Sequence, residues 1–242
     1  MAAYPATLPS GATWRVPFTR TLEFRTKIGR GLDSTEQRWA ETCGRERWTL
    51  TYRDLVVTDR DAIFASFETA KGDFDQTLSL TWGGTTYSNV YFQDGKLDAQ
   101  ESDKPARSSM KVVLCQLYRA ADTGTLGTFP LLSSGARVQL PYSYSRAFDN
   151  VSVETDGGRY SYYNRASSYR TWTVGGPFLL DTEAQALWDF FRRARGKLTT
   201  FAFVDPDSGT SYPSCRFGSD QLDWTINGRD NNALQTTVEQ FA

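Results

Sequence analysis

The residues of this chain that could do chemistry are few, and the first candidates are two carboxylates. Asp205 and Asp207 stand two apart in "VDPDSG" (204–209), a spacing that could offer oxygens to a calcium ion. The other oxygen donors of a recognised calcium loop do not follow, and Pro206 and Gly209 read first as turn residues. Cys43, Cys115 and Cys215 are far apart and show no CxxC spacing, which reads as three reduced thiols. Histidine is absent from the 242 residues, which removes the commonest general base, metal ligand and activator of Ser or Cys nucleophiles. "GRGLDS" (29–34) is too short and poorly placed for a phosphate loop. No motif singles out a pair among the 28 acidic side chains for glycoside hydrolysis. The expectation is a protein without catalysis, cofactor or metal.

Two groups of residues point instead to surfaces. In "WDFFRRARGKLTTFAFVDPDSG" (188–209), Arg192, Arg193 and Arg195 lie on the polar side of an amphipathic helix, near the end where its dipole favours cations. In "GGRYSYYNRASSYRTW" (157–172), Tyr160, Tyr162, Tyr163 and Tyr169 with Trp172 could form a sugar-stacking face. Tyr and Arg are equally the residues enriched at protein–protein interfaces. Arg192, Arg193, Arg195, Tyr160, Tyr162 and Tyr163 are therefore the expected interface residues, with carbohydrate or receptor recognition as the alternative.

Composition narrows the classes of partner. Charge is nearly balanced, 27 Lys and Arg against 28 Asp and Glu, so no global field draws the chain to nucleic acid or membrane. The start of the chain lacks the pattern of a signal peptide, and no run approaches the roughly 18 apolar residues of a membrane span. A soluble protein that folds without export is expected. The 14% aromatic content suits β-rich cores.

The elements that must position these residues occur twice. A shift of 124 superposes Trp48 on Trp172, Thr49 on Thr173, Thr58 on Thr182, Ala62 on Ala186, Phe67 on Phe191, Ala70 on Ala194 and Gly72 on Gly196. A shift of 125 matches Tyr87 with Tyr212 and Phe92 with Phe217, and the final strands return to 124, with Leu114 on Val238 and Gln116 on Gln240. Arg170 falls on Glu46, a reversal of charge. Each copy reads as an alternating strand, one helix and a run of strands. Trp48, Leu50 and Tyr52 fall on one face of the first strand, and Thr58 or Thr182 is the expected helix N-cap. Ala186, Leu187, Phe190, Phe191 and Ala194 form the apolar stripe of the second helix, and Gly72 and Gly196 stop the helices. Leu78 and Leu80 fall one position out of phase with Phe201 and Phe203, which implies a one-residue length change in the preceding turn. The expected organisation is a first domain over 1–119, a linker over 120–143 and a second domain over 144–242.

In the second copy the chain runs "YRTWTV", a helix ending "FFRRARG", "FAFVDP", Tyr212, Cys215, Trp224 and a closing "TTVEQF". This pattern resembles the minor tail, or distal tail, protein family of long-tailed bacteriophages. Members of that family set an extended strand before a helix ending "FxxxxGG", then an aromatic "AFxW/FxxP" strand and a terminal "FxxEFEQ"-like strand. The resemblance covers 165–241 well and 45–117 more weakly, with "SLTWGG" where the proline is expected. It implies a mainly β (α+β) fold of two tandem tail-tube-like β-sandwich domains, each with one flanking α-helix. It also implies a structural virion protein, assembled in the bacterial host cytoplasm, that forms a ring at the distal end of the tail. Two domains per chain would make a trimer with pseudo-sixfold symmetry, or a hexamer with one domain of each chain lining the channel. The implied partners are copies of itself, the tail tube protein, the tail hub or tip protein and the tape-measure protein. Genomic DNA would pass through the lumen without sequence-specific binding.

Overall fold

The structure is a computed structural model that describes residues 2–5, 8–10, 17–30, 36–40, 44–70, 77–82, 85–101, 106–118, 126–135, 138–139, 143–147, 150–155, 159–164 and 169–240. In chain order its elements are β1 (Ala2–Ala3), β2 (Phe18–Glu23), β3 (Thr26–Arg30), β4 (Glu36–Ala40), β5 (Gly44–Val56), α1 (Val57–Thr69), β6 (Leu78–Trp82), β7 (Thr85–Phe92), β8 (Ala99–Glu101) and β9 (Arg107–Tyr118). There follow β10 (Tyr144–Ala147), β11 (Asn150–Thr155), β12 (Arg159–Asn164), β13 (Tyr169–Leu179), α2 (Asp181–Ala194), β14 (Phe201–Val204), β15 (Ser211–Phe217), β16 (Gln221–Gly228) and β17 (Asn231–Gln240). The fold is mainly β, as the sequence patterning predicts. Two compact units are built from interleaved segments. Unit 1 is Met1–Leu22, Gly44–Arg119 and Asp223–Arg229, and unit 2 is Glu23–Cys43, Ala120–Leu222 and Asp230–Ala242.

In unit 1 the strand order is β6-β7-β9-β5-β2, with β1 alongside β6, β16 beyond β2 and β8 on β9. The alternation along β5 does what a half-buried strand requires: Trp48, Leu50 and Tyr52 are buried while Arg53 is exposed. The antiparallel register runs Trp48↔Leu114 and Tyr52↔Met110, slips, and resumes at Leu55↔Ser108. Strand β7 meets β9 at Val90↔Gln116 and Phe92↔Leu114, and meets β6 at Leu78↔Val90 and Leu80↔Tyr87 across another slip. Helix α1 follows β5 without a loop. Its N-cap is Val56 rather than the expected Thr58, which lies inside the first turn. The free amides there face an acidic turn, as the helix dipole favours, and the buried Asp59 in turn accepts the Ser10 N–H (2.9 Å) and hydroxyl (2.6 Å).

In unit 2 the order is β14-β15-β17-β13-β10. Strand β13 meets β17 at Trp172↔Val238 and Gly176↔Leu234, slips, and resumes at Leu179↔Asn232. Just before the slip Gly175 takes a φ of +88°, and a Cβ there would lie 2.2 Å from the Leu234 carbonyl oxygen. Strand β15 meets β17 at Cys215↔Gln240 and Phe217↔Val238, and meets β14 at Phe201↔Cys215 and Phe203↔Tyr212. Helix α2 starts at Asp181 with Leu180 as N-cap, so Thr182 is not the cap either. Glu183 reaches back to the Leu180 N–H (3.0 Å) and also accepts the Ser133 N–H and hydroxyl (both 2.6 Å). The buried stripe is Ala184, Leu187, Trp188, Phe190, Phe191 and Ala194. Ala186, expected in that stripe, faces solvent. Ala184 and Trp188, one turn apart, are buried instead. The helix stops on Arg195, already left-handed at φ 54°, one residue before Gly196. Phe129, inside the 120–143 stretch, is buried among Phe190, Phe201, Phe203 and Phe217, with ring centroids 5.3–6.3 Å away. The β3–β4 hairpin belongs to this unit, and Phe24, just before it, lies against Phe191.

Candidate functional site

The expected interface arginines sit together at the C-terminal end of α2. Arg192 pairs with Asp189 one turn back (3.4 Å). Arg193 is exposed, with its guanidinium 5.7 Å from the centroid of the Phe190 ring, and Arg195 makes the left-handed stop. Nearby, Arg38 of β4 donates to the Lys197 carbonyl (2.9 Å), and the Asp220 carboxylate accepts the Lys197 N–H (2.9 Å) and both the N–H and hydroxyl of Thr26 (2.9 Å each). The helix end is therefore a braced, cation-rich surface. Tyr160, Tyr162 and Tyr163 lie on β12, paired by backbone with Glu154, Ser152 and Val151 of β11; their side chains are outside the described ones. Tyr169 is 38% exposed, whereas Trp172 is fully buried between Tyr144, Phe203 and Tyr212. Trp172 is thus a core residue and does not join a sugar-stacking face.

One polar arrangement in unit 1 has no counterpart in the sequence reading. Arg20 and Glu46, each 1% exposed, form a buried ion pair. The guanidinium lies within 6.0 Å of the ring centroids of Trp48, Trp82, Tyr87 and Trp224, and donates to the Tyr87 hydroxyl (3.0 Å). Aromatic faces and a carboxylate together compensate a cation that burial would otherwise penalise. In unit 2, Arg170 lies 4.6 Å from the Tyr212 centroid. The charge reversal between Glu46 and Arg170 thus has a physical sense: both units set a guanidinium against a tyrosine, but from different strands.

The other candidates resolve locally. Asp205 accepts the Asp207 N–H and the Ser208 hydroxyl (3.0 Å each), so the "VDPDSG" carboxylate closes its own turn. Among the described residues no group of three or more His, Cys, Asp or Glu is arranged to hold a metal ion. Cys115 and Cys215 are buried free thiols. Burial pushes them up to about 11 and about 12 respectively, so neither is a thiolate at neutral pH. Cys43 lies outside the described residues, as does most of "GRGLDS", of which Gly29 and Arg30 end β3.

The strands of the two units carry different residues on the face opposite Trp48 and Trp172. On unit 2 it carries Ser143, Ser145, Thr171, Thr173, Gln235 and Thr237, with the Ser143 and Thr173 hydroxyls bonded at 2.6 Å and Glu239 opposite Arg216 in register. On unit 1 the corresponding face carries Arg45, Arg47, Thr49, Thr51 and Lys111 together with Val113 and the buried Cys115. No helix among the described residues is long and apolar enough to cross a membrane. Compared with known protein families and with curated proteins, the chain matches no family model and no curated sequence.

Proposed function

We propose that this chain is a structural subunit of a ring at the distal end of a long phage tail, joining the tail tube to the tip hub. The observation that carries the reading is the recurrence of one strand–helix–hairpin–closing-strand order with one set of registers. Trp48↔Leu114 becomes Trp172↔Val238, Leu55↔Ser108 becomes Leu179↔Asn232, and Leu78↔Val90 with Leu80↔Tyr87 becomes Phe201↔Cys215 with Phe203↔Tyr212. The slips in pairing recur at the same places. The anchor of each helix recurs too, with Ser10 on Asp59 in one unit and Ser133 on Glu183 in the other. A tandem duplication of one sandwich accounts for all of this at once. The motifs that resemble the tail family fall on β13, α2, β14 and β17 in that order.

The hydroxyl- and amide-rich face of unit 2, whose Arg216 stands opposite Glu239, suits a lumen through which DNA slides, because phosphate finds no row of cations there to release counterions. Among the described residues β10 has a partner only in β13, and an edge strand of this kind is completed when a neighbouring chain covers it. Trimer and hexamer both supply such neighbours. Electron microscopy of tails carrying a labelled copy of this chain tests the reading. Label at the end of the tail remote from the capsid is expected; label elsewhere, or a chain missing from purified tails, overturns it.

A further inference from the structure

Pro177, Phe178 and Leu180 are exposed apolar side chains where β13 turns into α2, and Leu131 is exposed two residues before Ser133. Phe178 is 71% exposed, Leu131 51% and Leu180 38%. Glu183 gathers the patch, since it binds the Leu180 N–H on one side and Ser133, two residues beyond Leu131, on the other. Phe178 is held rather than dangling: the Gln139 side chain accepts its N–H (3.1 Å) and donates to its carbonyl (2.6 Å). Gly176 leaves room for that clamp, because a Cβ there would lie 2.1 Å from Gln139 Oε1. The slip itself does not ask for a phenylalanine. At the same place in the β5 slip of unit 1 stand Arg53 and Asp54.

The rim of the patch is acidic. Asp181 and Asp230 are exposed beside it and bonded to one another's backbone. The opposite end of the same helix carries Arg192, Arg193 and Arg195, where the first copy has Glu68, Thr69 and Lys71. One helix therefore offers an apolar, acid-rimmed start and a basic finish.

We propose that the Phe178 patch of one copy of this chain docks on the Arg192–Arg195 end of α2 in a second copy, head to tail. Helix dipoles then align end to end. The arginine stems cover the apolar side chains, a guanidinium lies over the Phe178 ring, and Asp181 faces Arg193. Such a contact is heterologous and closes a ring when its rotation allows. The inference rests on the self-assembly in the reading above, but not on the virion.

Sedimentation velocity of the full chain over a concentration series tests it. Wild-type chains should associate, and Phe178→Asp and Arg193→Glu should each weaken association at least tenfold. Asp181→Arg combined with Arg193→Glu should recover part of the loss. Both single variants lie on the surface, so their circular dichroism should stay wild-type. A wild-type chain that remains monomeric throughout, or variants that associate as it does, would overturn the contact. Tails that lack the chain would remove the virion reading and leave this contact standing. Phe178→Asp chains that still form tail-tip rings would do the reverse.

Discussion

Arg20 is a buried cation held from several sides. Its partner Glu46 is 26 positions away on another strand and shares the inward face with Trp48. Strand alternation predicts that position to be buried, but nothing local says that a cation will meet it, and so the pair was not legible in the sequence. Removing one partner of a buried pair strands the other without water. Glu46→Ala is therefore expected to cost about 3–5 kcal/mol in urea unfolding. Replacing both partners, Arg20→Met with Glu46→Leu, should cost much less, because no lone charge is left behind. A single variant that unfolds at the wild-type midpoint would show that the four rings alone hold the guanidinium.

At the scale of elements, the strands and the stripe of α2 were legible because periodicity reports burial directly. The helix starts were not. A threonine ahead of acidic residues looks like a cap, yet both helices take up the chain straight from a long strand, and the threonines fall inside the first turn. Glu183 does the capping, which no spacing rule for Thr182 would reveal. Phe178 was equally hidden, since nothing in "PFLL" says which of its apolar side chains faces solvent. Burial alone would raise the Glu183 pKa, but bonds from the Ser133 hydroxyl, the Leu180 N–H and the Ser133 N–H outweigh it and hold the carboxyl below its ordinary 4.5. A lowered pKa means that the unfolded chain takes up this proton first as acid is added. The stability contributed is full above the unfolded value and is lost as pH falls through the folded one. Glu183→Gln should then unfold more easily at pH 7 and show a flatter acid limb in a stability-versus-pH series. An acid limb as steep as that of the wild type would assign the dependence to other carboxylates.

For the whole molecule, the internal repeat was visible as a steady offset, but the make-up of the compact units was not. Offsets compare a residue with its counterpart and carry no information about which half of the chain a strand pairs with. Residues 223–229 belong to unit 1, where Trp224 meets Trp82 (5.5 Å) and closes the surroundings of Arg20. Trp224→Ala is expected to cost about 3–5 kcal/mol. In hydrogen exchange its effect should appear in β2 and β6, far from it in sequence. Faster exchange confined to β13 and β17 would contradict that assignment.

This make-up also sets a timetable for biosynthesis. The ribosome delivers Trp224 about two hundred residues after Arg20, so unit 1 waits for most of unit 2 to be made before its last strand arrives. Its tryptophans remain uncovered in the nascent polypeptide meanwhile, and premature termination anywhere before that point would forfeit both units rather than release one finished half.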